Sequence, residues 1–67
     1  MSEKTSWPEL TNINVDEAVT TIQQENSSLQ VMKVRFGGIV TMDFRPNRVR
    51  VYFDPNTQQV KGIPRIG

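Results

Sequence analysis

Arg45, Arg48 and Arg50 follow Asp43 within a few positions, and Arg48 and Arg50 have the i, i+2 spacing that puts side chains on one strand face. Guanidinium groups are rigid, fork-shaped and permanently charged. A pair on one face can therefore bond the carbonyl, hydroxyl and carboxylate groups of an extended segment lying alongside. Thr41 and Asp43 supply such acceptors at alternating positions just upstream. The ordinary alternative is a pair of solvated arginines on an outer strand face. The chemistry within reach is positioning rather than bond breaking. The sequence has no His and no Cys, which removes the usual zinc ligands, a thiol nucleophile, a disulfide framework and the imidazole of a Ser-His-Asp triad. Glu9, Asp16, Glu17 and Glu25 are explained by helix starts, caps or solvent, and no carboxylate pair has a catalytic spacing. No enzyme, metal site or cofactor is expected.

The same cluster admits two other functional classes. Phe44 interleaved with Arg45, Arg48 and Arg50 could stack a base and grip phosphate, as nucleic-acid or polyanion binders do. Against that stand Asp43 inside the patch and a net charge of only +1, from eight Lys and Arg against seven Asp and Glu. A plain interaction module, presenting an exposed apolar loop to a protein partner, shares the same residues.

Sixty-seven residues make one small domain. Met1 to Ser6 is polar and aperiodic and is expected to be a loose tail, leaving 7–67 as the domain. No apolar run approaches the roughly 20 residues of a membrane span, and the first residues lack the apolar stretch of a secretory signal. A soluble chain without membrane contact is expected, either cytosolic or a mature secreted or stored form. Trp7 is expected to plug the core. Asn14 precedes Glu17 by the capping-box spacing, so a helix should begin at Val15 and end near Glu25 or Asn26. Val15, Ala18, Val19 and Ile22 form its inward stripe. Leu29 to Phe36 carries apolar residues on both parities and predicts a strand covered on both sides. Gly37-Gly38 breaks it, and Ile39 to Arg45 taken alone predicts another strand. Arg48 to Phe53 alternates cleanly. Asp54-Pro55-Asn56-Thr57 is turn chemistry, and Val60 to Ile66 predicts a short edge strand containing Pro64. The expected order is strand, helix, strand, long connection, strand, strand: an α+β domain with one helix packed on a small mixed sheet.

Ser6-Trp7-Pro8-Glu9-Leu10, Ile39-Val40-Thr41-Met42-Asp43-Phe44-Arg45, Asn47-Arg48-Val49-Arg50-Val51 and Ile63-Pro64-Arg65-Ile66-Gly67 together resemble the potato inhibitor I family of serine protease inhibitors. The resemblance is nearly full length. It implies a wide exposed reactive-site loop, roughly Gly37 to Arg45, joining two parallel strands and held in the extended shape of a substrate. By matching positions, Gly38, Ile39, Val40, Thr41, Met42, Asp43, Phe44 and Arg45 would contact the protease. Met42 would fill its primary specificity pocket and Met42-Asp43 would be the scissile bond. Arg48 and Arg50 would reach Thr41 and Asp43 from the strand beneath, anchored by the Gly67 carboxylate, and Arg45 would support the far end. The implied partner is a serine protease with an apolar pocket, of the subtilisin or chymotrypsin kind, engaged by a monomer. Two departures bear on loop stiffness. Gly38 stands where relatives carry Thr, Ser or Pro, adding about 0.5 to 1 kcal/mol of freedom to lose, while Pro46 stiffens the exit.

Overall fold

The computed structural model describes residues 4–67. Asn14 caps the helix α1, Val15–Glu25, its side chain accepting from the amides of Asp16 and Glu17. Those two carboxylates lie at the positive end of the helix, and Asn26, in extended conformation, ends it. Val15, Ala18 and Ile22 are buried, and Val19 packs at the margin of the same core. The expected inward stripe is thus the stripe observed.

Four strands make one mixed sheet: β1 Gln30–Arg35, β2 Arg48–Asp54, β3 Gln59–Val60 and β4 Arg65–Ile66. β1 and β2 run parallel, with Gln30 opposite Arg48 and Arg35 opposite Phe53. A parallel pair needs a long connection, usually a helix. Here residues 36–47 make it without one. The other edge of β2 is shared by β3, opposite Phe53 and Asp54, and β4, opposite Val49 and Arg50, both antiparallel. Val49, Val51 and Val60 close the core against Trp7, Leu10, Leu29 and the helix. Trp7 is buried, and its indole Nε1 donates to Glu25 at 3.3 Å.

Four expectations change. The strand at Leu29 to Phe36 is covered on one side only: Met32 is 42% exposed and Phe36 64%, because the single helix lies on one face of a single sheet. Ile39 to Arg45 forms not the strand its residues taken alone predict but the exposed connection between parallel strands that the resemblance implies. Val60 to Ile66 is not continuous: Gly62, at φ 73°, breaks it, so its two ends pair separately with β2. No strand opens the chain's described part; Pro8–Leu10 is a short 3-10 turn, preceded by a single antiparallel bridge between Ser6 and Arg65. Met1 to Glu3 of the expected tail lie outside the described residues. Thr5 and Ser6, assigned to that tail, are already engaged, the Thr5 carbonyl accepting from the Ile66 amide at 3.0 Å.

Candidate functional site

β2 carries the site. Its alternation turns Val49 and Val51 into the core and Arg48, Arg50 and Tyr52 to the opposite face. The connection between the parallel strands then passes over those arginines. It leaves β1 by a turn in which the Gly38 amide donates to the Arg35 carbonyl at 2.9 Å. Gly37 sits at φ 86°, which a residue with a Cβ adopts only under strain. A Cβ on Gly38 would lie 3.0 Å from the Arg35 oxygen, so the loop's leading end is built for this Gly-Gly pair. At the other end the Arg48 amide donates to the Arg45 carbonyl at 3.3 Å, closing a turn through Pro46 and Asn47.

Between the two turns the arginines hold the chain on either side of one residue. Arg50 Nη1 donates to the Thr41 carbonyl at 2.9 Å, and its Nη2 bonds the Thr41 hydroxyl. Arg48 Nη2 donates to the Asp43 carbonyl at 2.7 Å, and its Nη1 reaches an Asp43 carboxylate oxygen at 3.5 Å. Arg48 Nε donates to the main-chain oxygen of Gly67 at 2.6 Å. Arg45 Nε donates to Asp43 at 3.1 Å, and Arg50 lies 3.8 Å from the same carboxylate. Met42, between the two clamped carbonyls, is 98% exposed. Ile39 and Phe44 also face outward, the Phe44 ring passing within van der Waals range of where a Cβ on Gly67 would stand.

The electrostatics favour the same arrangement. Arg48 is 6% exposed, yet every nitrogen has an acceptor, so its burial leaves no orphaned charge. The Thr41 hydroxyl and then the Arg45 guanidinium hold the Asp43 carboxyl well below the usual carboxylate range, with Arg48 adding to the effect. Asp43 is therefore ionised throughout the neutral and weakly acidic range. Among the described residues no group of His, Cys, Asp and Glu could hold a metal ion.

Of the loop and supporting residues singled out in the sequence, Thr41, Asp43, Arg45, Arg48, Arg50 and Gly67 meet here around the exposed Met42 and Phe44; Gly38 belongs to the entry turn, Ile39 is exposed and Val40 is partly buried. Three features were not legible beforehand: the near-complete burial of Arg48, the convergence of three arginines on one carboxylate, and the approach of the Phe44 ring to the end of the chain at Gly67. The Gly-Gly pair was a signal for the first turn. Nothing local signalled the other contacts, which join residues on different elements.

The sequence profile described as the Potato inhibitor I family matches residues 1–67. The chain belongs to that family. It is 44% identical to a protease inhibitor of Hevea brasiliensis across 96% of this chain and 90% of the relative. It is 41% identical to a subtilisin inhibitor of Canavalia lineata across 98% of both. Among solved structures, a bitter gourd trypsin inhibitor superposes with a TM-score of 0.91 at 33% identity, covering 98% of this chain and 96% of that one. This member of the potato inhibitor I family is thus a protease inhibitor and not an enzyme, with the helix-on-mixed-sheet fold of its relatives.

Proposed function

We propose that residues 38–45 enter the active site of a serine protease as a substrate does, with Met42 in the primary specificity pocket and Met42-Asp43 as the scissile bond. One observation carries the reading: the carbonyls of Thr41 and Asp43, on either side of Met42, are both held from below while the Met42 side chain is free. Fixing a residue's backbone costs about 1 to 2 kcal/mol, so about six contact residues ordered beforehand save up to about 6 to 12 kcal/mol on docking. Burying Met42 in an apolar pocket adds roughly 1.5 to 3 kcal/mol. Its flexible thioether adapts to pockets of different shape.

Inhibition rather than digestion follows from the same contacts. After attack on the Met42 carbonyl, the new amine at Asp43 must stay close. Arg48, bonded to the Asp43 carbonyl and carboxylate, keeps the leaving fragment beside the acyl group, so resealing competes with water. No second chain is needed, and a monomer suffices.

The preferred enzymes are those with bulky apolar pockets, subtilisin-like and chymotrypsin-like. A pocket with a buried carboxylate, as in trypsin-like enzymes, would keep its charge unpaired against Met42, a penalty of about 1 to 3 kcal/mol. Relatives described as subtilisin and trypsin inhibitors share this architecture, which supports selectivity residing in the loop residue rather than in the fold. Titrating subtilisin, chymotrypsin and trypsin with the protein should abolish the first two activities stoichiometrically and spare the third, with slow or no cleavage at Met42-Asp43. Met42→Lys should transfer the inhibition to trypsin. Full activity of all three enzymes beside an intact inhibitor would favour the interaction module instead. The polyanion reading loses ground because Arg48 and Arg50 spend their donors on the loop and on Gly67; steep salt dependence of binding would restore it.

A further inference from the structure

Met42 and Met32 differ in how the fold treats their sulfur atoms. Met32 lies on the open face of β1, opposite Arg50, and is 42% exposed. Met42 is 98% exposed. Its exposure is imposed by the fold, because the carbonyls before and after it are bonded to Arg50 and Arg48, so the intervening side chain cannot fold back onto the sheet. The thioether stands in water with nothing to shield it from a small oxidant. Methionine oxidation follows exposure, and the product replaces a flexible apolar side chain by a polar, chiral one.

We propose that Met42 is an oxidative modification site through which peroxide-class oxidants switch off the inhibitor. In that step the sulfur takes one oxygen from hydrogen peroxide and gives up two electrons. The O–O bond breaks, and the second peroxide oxygen leaves with both protons as water. A dithiol reductase reverses it: the sulfoxide oxygen leaves as water while two thiols become a disulfide. The fold is untouched, because Met42 belongs to no part of the core. The clamp is untouched as well, since Arg48 and Arg50 bond main-chain and neighbouring groups rather than the thioether. Only the fit to an apolar pocket changes. The inference rests on the proposed placement of Met42 in that pocket.

The test is graded treatment of the whole protein with hydrogen peroxide, followed by peptide mass mapping and titration of subtilisin. Met42 should oxidise before Met32, and the singly oxidised protein should bind about tenfold or more weakly, with affinity restored by methionine sulfoxide reductases. Protease bound beforehand should protect Met42 and leave Met32 reactive. Met42→Leu, whatever its own affinity, should not weaken on peroxide treatment, whereas Met32→Leu should inhibit as the untreated protein does and still lose inhibition to peroxide, which removes Met1 and Met32 as causes. Undiminished inhibition by protein carrying Met42 sulfoxide, or oxidation of Met32 ahead of Met42, would overturn the proposal while leaving the inhibitor reading intact. If the untreated protein neither inhibits nor is cut at Met42-Asp43, the placement of Met42 itself fails.

Discussion

The two faces of β2 are organised by opposite means. On one, Val49 and Val51 are fully buried against the helix and Trp7, and order comes from removing apolar area from water. On the other, Arg48 and Arg50 order a loop by donating to its carbonyls, its hydroxyl and its carboxylate. The reason is competition for the same groups. A loop ordered by apolar packing would have to bury Ile39, Met42 or Phe44 against its own sheet. Ordering it through the backbone leaves those side chains outward for a partner, at the cost of bringing charged donors underneath it. Stability and function therefore rest on separate residues of one strand.

Substitutions that act on one face alone would sharpen that division. The largest effect should come from the apolar face: Ile22→Ala leaves a cavity where the side chain is fully buried and should cost about 2 to 5 kcal/mol in urea unfolding. The folded fraction should still inhibit with unchanged affinity. Loss of inhibition in step with stability would break the comparison. Arg48→Ala should do the reverse. Releasing the Asp43 carbonyl removes a charge-assisted bond, so hydrolysis of Met42-Asp43 by subtilisin should rise about tenfold or more while the fold survives. Arg50→Ala should act similarly through Thr41, and Arg50→Lys should lie between, because a point charge cannot span the Thr41 carbonyl and hydroxyl as a fork does. Unchanged inhibition in Arg48→Ala and Arg50→Ala alike would remove the clamp from the mechanism.

Smaller effects test the margins. Asn14→Ala strips two amides at the start of α1 of their acceptor and should cost about 1 kcal/mol, with no change in affinity for a protease. The smallest expected response is to pH. Asp43 has its carboxyl lowered from 3.8 by its partners, so its contribution is complete above that value and is lost only as pH falls through the still lower folded value. Between pH 7 and pH 4 the Asp43 carboxyl resonance should stay flat in an NMR titration. An inflection inside that window would mean that Thr41, Arg45 and Arg48 hold the carboxylate less firmly than their geometry implies.

Legibility in the sequence followed the range of the interactions. Asn14 with the helix it caps, the inward stripe at Val15, Ala18 and Ile22, and the alternation of β2 depend on neighbours within a turn or a pleat, and each was readable. Residues 39–45 taken alone misled, and only the resemblance read them as a loop, because a clamped, extended segment has the same composition as a strand. What it lacks is a partner, and partners are not local. The final segment misled for a related reason: Gly62 splits it, and whether its pieces pair depends on β2. The exposure of Met32 and Phe36 likewise depended on how many layers cover the sheet.

By itself, the sequence determined a small helix-and-sheet domain, the absence of thiol and imidazole chemistry, and the residue types capable of holding an extended loop, because these follow from composition and short-range periodicity. Only the tertiary structure decided that Arg48 is buried with every nitrogen bonded, that three guanidinium groups meet at Asp43, and that Met42 alone stands free between two held carbonyls. Those facts arise where β2, the loop and Gly67 converge. Hydrogen bonds a few ångströms long are fixed there by the packing of the whole chain.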